Sequence, residues 1–161
     1  MTLKELQKIL TSIAPADREA MDRAKKRQAE LAKPPGSLGK LEDMSIRLAG
    51  ITGQVRNQLE SCRILVFAAD NGVIAEGVSS SPESVTLSQA VNMTRHITGM
   101  SALARYFGNS VVVADVGINA EVRCPAILNR KIRRSTRNLA KEPALTRQEV
   151  LDAMPTFSAE A

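Results

Sequence analysis

Two short apolar runs do most to limit what this chain can fold into. Ile64-Leu65-Val66-Phe67-Ala68-Ala69 is followed by Asp70-Asn71-Gly72, and Ser110-Val111-Val112-Val113-Ala114 is followed by Asp115 and, two residues on, Gly117. A strand with one wet face alternates apolar and polar residues, whereas a continuous apolar run is buried on both faces, as in a parallel sheet. Between the runs the sequence reads as helix. Ser81 suits an N-cap, Pro82 the first helical position, and Glu83 complements the helix dipole. That helix is expected to reach about His96, with a second piece from near Gly99 to Gly108. Strand, helix, strand over this length is a βαβ unit, with parallel strands and a right-handed crossover.

The residues before the first run read as helices. Thr2 and Glu5 have the spacing of a capping box, and Leu3, Leu6, Leu10 and Ile13 follow on one face until Pro15. A second helix is expected over 17–32, with Met21, Ala24, Gln28 and Leu31 inward and a charged outer face. The stretch Lys33-Pro34-Pro35-Gly36-Ser37-Leu38-Gly39-Lys40-Leu41-Glu42 cannot continue it, because each proline lacks an N–H and restricts the residue before it. It is not a phosphate loop: Leu41 follows Gly39-Lys40 where that motif needs Ser or Thr, and Pro34 replaces its first glycine. A tight turn at Gly36 and a cap at Ser37 are expected, opening a third helix with Leu38, Leu41, Leu48 and Ile51 on one side. The region 118–140 shows no clear period. Thr146 and Glu149 then form a capping box for a short helix that Pro155 ends, and the tail 156–161 has no periodicity. The expected organisation is therefore N-terminal helices over 1–52, a partial α/β domain over 60–154 and a tail over 155–161.

The composition, 43% hydrophobic and 24% charged over 161 residues, is that of a globular chain. No apolar run approaches the roughly 20 residues of a membrane helix, and the mixed charges of the first eight residues do not read as a signal peptide. Cys62 and Cys124 read as free thiols of a reducing cytoplasm. With His96 as the sole histidine and no paired cysteines, no metal site is expected. The net charge of +5 sits in one place: residues 130–137 hold five basic residues and no acid. Such a run can meet nucleic acid, but a solvated or intersubunit face is the commoner use, and 2% aromatic content leaves little for stacking bases.

In an open α/β sheet, ligands bind outside the carboxyl ends of the strands. The segment 70–89 therefore stands out as a site, with small residues, a helix N-terminus, and the polar side chains of Ser81 and Gln89, a little over two turns apart. An ordinary long loop is the equal alternative. No G-x-G-x-x-G follows either run, so no nicotinamide cofactor is expected.

Four blocks, K-P-P-G-S-L-G-K-L-E, A-A-D-N-G-V-x-x-E-G-V-S-x-S-P, Q-A-V-N-M-T-R and V-V-A-D-V-G-I, in this order and spacing, resemble the nicotinate-nucleotide–dimethylbenzimidazole phosphoribosyltransferase family of cobalamin lower-loop synthesis. The resemblance runs from about residue 3 to about 154. It implies a Rossmann-like α/β domain with a parallel sheet, only part of which this chain holds, and a small helical domain built from both chain ends, to which residues 1–50 contribute. It also implies a cytoplasmic homodimer or other homo-oligomer with the site near the subunit interface, and no cofactor. The implied substrates are nicotinate mononucleotide and 5,6-dimethylbenzimidazole, and the products α-ribazole phosphate and nicotinate. Ser81 and Gln89 match polar positions of the benzimidazole pocket, and Pro82, Val85 and Met93 fall around the same helix.

There are departures from the family pattern. Asn71 stands where histidine is expected and His96 where glycine is common. The family chain is much longer, and its catalytic glutamate and phosphate-holding glycine segment lie in its other half, so no catalytic residue is assigned here. The expected product of this sequence is an N-terminal portion with little activity alone, folding around two strands whose second exposes an edge that invites self-association. The alternatives are a noncatalytic benzimidazole-binding module and a nucleic-acid-binding protein acting through 130–137.

Overall fold

A computed structural model describes residues 3–58 and 60–154. Two compact units are present, residues 9–60 and residues 1–8 with 61–161. The expected cap at Thr2 and the stop at Pro155 lie outside the described residues.

The larger unit is built on a three-stranded sheet in the order β1 (Arg63–Ala69), β2 (Ser110–Gly117), β3 (Ile127–Asn129). All neighbours are parallel. Arg63 lies opposite Ser110 and Ala68 opposite Asp115, after which a bulge sets Ala69 against Gly117. The two apolar runs are thus strands, as expected. β3 was not foreseen: Ile127–Asn129 pairs with Val113–Asp115. The edge of β2 that the sequence reading leaves open is therefore taken within the chain over Val113–Asp115.

The crossover from β1 to β2 carries α4 (Ser84–Thr94) and α5 (Gly99–Tyr106). α4 packs on all three strands. Small residues at the contact, Ala68, Ala90 and Ala104, let backbone approach backbone, and Val113, Ile118 and Ile127 fill the core. α4 ends two residues before the expected His96 because His96 takes φ +57°, outside the right-handed helical region. α5 opens where expected, with Thr98 and Ser101 capping each other. Ser81 is not the cap of α4. Glu83 holds that position, and the turn before it is closed by Ser79, whose hydroxyl accepts from Ser81 N at 3.2 Å and donates to Ser81 O at 2.9 Å. The box of Thr146 with Glu149 does open α6 (Arg147–Ala153).

α1 (Leu3–Ser12) precedes α2 (Arg18–Glu30) and α3 (Lys40–Thr52), the pair that makes the smaller unit. The Leu10 and Ile13 side of the first helix remains exposed. Asp17 caps α2 by accepting from Ala20 N at 3.0 Å, and Ala20 and Ala24 are buried. α2 meets α3 at Gly50, where a Cβ would lie 2.6 Å from Met21 Cγ. Of the expected stripe, Gln28 reaches Ser45 Oγ at 2.7 Å.

The proline stretch is a turn, as read, but Ser37 does not cap the helix after it. Successive short turns, Ser37 N to Pro34 O and Gly39 N to Gly36 O, delay α3 to Lys40. Glu42 closes the turn from inside the helix, with Oε1 accepting from Lys33 Nζ at 2.6 Å and from Leu38 N at 3.1 Å. The lysine first, and the Leu38 N–H second, hold the Glu42 carboxyl below the usual glutamate range.

Candidate functional site

The site begins where β1 ends. After Asp70 the chain makes a 3-10 turn over Gly72–Glu76, loops, and enters α4. The floor of this loop is fixed by close backbone approach: Gly72 N donates to Thr136 Oγ1 at 3.1 Å, and Thr136 N donates to Asp70 O at 3.2 Å. A cleft of about 300 Å³ lies between the end of β1, the turn and the start of α4. Val73, Ile74, Val78, Pro82 and Val85 give it apolar walls, and Asp70, Asn71, Ser81 and Glu83 give it polar groups. With apolar and polar residues lining it in equal number, the cleft suits a small ligand that has an apolar body and several hydrogen-bonding groups.

Of the residues singled out from sequence, Ser81, Pro82 and Val85 line this cleft together. Gln89 is exposed on α4 and does not line it, and Met93 packs against the hydrophobic core. Asn71, the departure from the expected histidine, is on the cleft wall. A second cleft of about 360 Å³ lies across Glu83 and is lined by Ser84, Leu87, Ser88 and residues 118–120. Asp70 and Glu83 border both.

Asn119 ties these two carboxylates together. Its backbone N donates to Asp70 Oδ2 at 2.7 Å and its Nδ2 donates to Glu83 Oε2 at 2.9 Å. Sequence reading missed Asn119, and no local signal could have found it, since its partners lie far back in the chain. Asp115, the other strand-terminal aspartate, does different work. Its Oδ1 accepts from Gly117 N at 3.1 Å and Ile118 N at 2.8 Å, and its Oδ2 pairs with Lys131 Nζ at 2.9 Å. It is 2% exposed and holds the loop after β2.

The basic run is largely spent inside the fold. Lys131 pairs with Asp115. Arg137 Nη1 donates to Glu149 Oε2 at 2.7 Å and its Nη2 to Oε1 at 3.1 Å, while Arg133 Nη1 donates to Oε1 at 3.3 Å. The Arg137 guanidinium, then the Thr146 N–H, lower the Glu149 carboxyl to about 2. Arg137 is in turn held above its ordinary value, chiefly by Glu149. These pairs anchor α6 to the loop after β3 and leave little of the run's charge for an anionic polymer. Among the described residues no cluster of three His, Cys, Asp or Glu side chains is arranged to hold a metal ion, and no helix is long and apolar enough to cross a membrane.

A phosphoribosyltransferase family model matches residues 13–159. The nicotinate-nucleotide–dimethylbenzimidazole phosphoribosyltransferase of Clostridium tetani is 40% identical over 154 residues, covering 96% of this chain and 42% of that protein. The same enzyme of Ruminiclostridium cellulolyticum is 44% identical over 156 residues, covering 97% of this chain and 44% of that protein. The crystal structure of the Thermus thermophilus enzyme of this name superposes with a TM-score of 0.77 at 39% identity, over 84% of this chain and 42% of its own. The chain thus spans about two fifths of the length of the relatives it matches, and its α/β fold is that of the Thermus enzyme over the matched part. With the family model covering most of its residues, this chain belongs to the phosphoribosyltransferase family.

Proposed function

We propose that this chain supplies the base-binding part of a phosphoribosyl transfer from nicotinate mononucleotide to 5,6-dimethylbenzimidazole, giving α-ribazole phosphate and nicotinate. The observation that carries this reading is the cleft at the carboxyl end of β1, where Ser81, Pro82 and Val85 meet Asp70 beside the start of α4. Its volume and apolar walls suit a bicyclic aromatic base. Gln89, exposed on the same helix, is available to the part of a ligand that projects from the cleft. In the reaction a ring nitrogen of the base attacks C1′ of the ribose, the bond from C1′ to the pyridine nitrogen breaks, and the base gives up its N–H proton. The family glutamate that takes this proton has no counterpart in this sequence, so the chain acts as an N-terminal portion and is expected to be inactive alone. General-base catalysis is worth roughly 10²–10⁴-fold, and positioning of the donor adds more.

Residues 1–52 would belong to the small helical domain and 60–154 to the α/β domain, in a cytoplasmic homo-oligomer. The test is calorimetric titration of the 161-residue chain with dimethylbenzimidazole, followed by turnover assays with and without a chain carrying the remainder of a full-length relative. Binding without turnover, with turnover restored on mixing, is the expected result. Full turnover by the chain alone would sink the portion reading. Saturable binding that no complementing chain converts to turnover would favour a noncatalytic benzimidazole-binding module instead.

A further inference from the structure

The cleft of about 300 Å³ at the end of β1 takes two of its apolar walls, Val73 and Ile74, from the 3-10 turn Gly72–Glu76. Such a turn has poor hydrogen-bond geometry of its own, and each of its residues loses conformational freedom when it is fixed. Residues 136–141 grip it at both ends. At its start, Thr136 Oγ1 accepts from Gly72 N at 3.1 Å and donates to Arg137 O at 3.0 Å, so the hydroxyl is used both ways. Thr136 N donates to Asp70 O at 3.2 Å, which ties the same residue to the end of β1. At the far end of the turn, Asn138 Nδ2 donates to Glu76 Oε1, while Asn138 Oδ1 accepts from Ala140 N at 3.0 Å and so sets which way the amide faces. Lys141 Nζ meets the same Glu76 oxygen at 3.0 Å. Asn138 first, then Lys141, hold the Glu76 carboxyl below the usual glutamate range, which keeps this acceptor charged. The gripping segment is anchored from behind. Arg137 N donates to Ala144 O at 2.9 Å, and the Arg137 guanidinium holds Glu149 of α6.

We propose that residues 136–138 form a strap that positions the cleft wall for the aromatic base, with Thr136 and Asn138 as its positioning residues. The inference rests on the reading of the cleft as the base site. Neither side chain lines that cleft, so each acts through the turn that carries Val73 and Ile74. A site whose competent form is only partly populated binds more weakly by that fraction, so a strap released at either end shows as lost affinity. Through Arg137 the strap also makes α6 part of the support of the site, although α6 supplies none of the residues that line it.

Calorimetric titration of the 161-residue chain with 5,6-dimethylbenzimidazole reads the two ends separately. Thr136→Val keeps the shape of the side chain and removes the hydroxyl, which takes their partner from Gly72 N and Arg137 O. It should weaken binding by about 5- to 10-fold, and Thr136→Ser should stay within about twofold of the wild type. Asn138→Asp keeps the acceptor for Ala140 N but sets a carboxylate against Glu76, and should cost about 2- to 5-fold. Adding Glu76→Gln to it returns a donor facing an acceptor, with the two roles exchanged, and should restore the affinity. Glu76 and Asn138 meet at the exposed rim, so this pair gives a reading even where circular dichroism shows Thr136→Val to be unfolded. Wild-type affinity in both Thr136→Val and Asn138→Asp overturns the inference and leaves the base-site reading standing. A loss that Thr136→Ser shares and the exchanged pair does not restore is general damage to the loop, and overturns the inference too. Failure of the wild type to bind the base overturns both.

Discussion

Gly72 passes so close to Thr136 that a Cβ on it would lie 2.5 Å from the Thr136 carbonyl oxygen, and 2.7 Å from the carbonyl carbon of Arg137. The obstacle is backbone, which cannot swing aside as a side chain can. Gly72→Ala should therefore destabilise the larger unit by about 1–3 kcal/mol. It should also loosen the cleft floor, because the same contact carries the bond from Gly72 N to Thr136 Oγ1. Thermal unfolding of the variant beside Gly77→Ala, where a Cβ would meet nothing within 4 Å, checks the steric argument. The control has its own cost, since Gly77 has φ +72°, so the larger loss must fall on Gly72.

Glu149 gives the fold an acid-sensitive joint. Its carboxyl lies at about 2 in the folded chain, below its ordinary 4.5, through Arg137 first. A depressed pKa means stability that is fully present above the unfolded value and is lost as pH falls toward the folded one. Midpoint temperatures should decline between pH 4.5 and 2, and Glu149→Gln should flatten that decline while lowering the midpoint at neutral pH. A variant with the same acid limb as the wild type would contradict the assignment.

Among the described residues, two sit in the left-handed region without being glycine, His96 at φ +57° and Ser135 at φ +52°. That backbone costs an L-residue roughly 1–2 kcal/mol. Ser135→Gly should stabilise by about 1 kcal/mol, because it also removes a sealed Oγ that has no hydrogen-bond partner. His96→Gly should gain less, since His96 Nδ1 contacts Ser101 O at 3.3 Å. Denaturant midpoints at constant slope measure both changes.

The basic run offers a test by salt. Were all five basic residues of 130–137 free to neutralise phosphates, the logarithm of the affinity for duplex DNA would fall with log salt at a slope of about −4 or steeper. With Lys131, Arg133 and Arg137 engaged by Asp115 and Glu149, a slope no steeper than about −2 is expected. Filter binding across a salt series decides, and a slope near −4 would restore the nucleic-acid reading.

In the cleft itself, Val85→Asp should weaken dimethylbenzimidazole binding about 10-fold or more, by placing a charge on an apolar wall. Ser81→Ala should cost a few-fold, the worth of one neutral hydrogen bond. Isothermal titration ranks them, and an unaffected Val85→Asp would move the base out of this cleft.

What sequence could and could not show divides along the range of the forces involved. β1 and β2 were legible because burial on both faces writes itself into consecutive residues. The Thr146–Glu149 box was legible because both partners lie within one turn. β3 was not, since Ile127-Leu128-Asn129 is too short to carry a period and is defined by its register on β2. Ser37 and Ser81 failed as caps for one reason: each lies inside a turn, held by the Pro34 and Gly36 carbonyls in one case and by Ser79 in the other. Of the site, the segment after β1 was legible, with Ser81, Pro82 and Val85 on the cleft wall. Asn119 and the unequal satisfaction of Asp70 and Asp115 were not, because they depend on loops that meet only in three dimensions. His96, where the resemblance leads one to expect glycine, takes φ +57°, a region that glycine enters without strain.

The parallel pairing of β1 with β2 has a consequence for how this chain is made. Arg63 cannot find Ser110 until the whole crossover with α4 and α5 has been synthesised. At translation rates of about 5–20 residues per second, that wait lasts seconds, against microseconds for closing a hairpin. Throughout it, Ile64-Leu65-Val66-Phe67 leaves the ribosome as an apolar strand with neither edge occupied. The apolar run of β1 thus waits far longer for its partner during synthesis than the strand of a hairpin would.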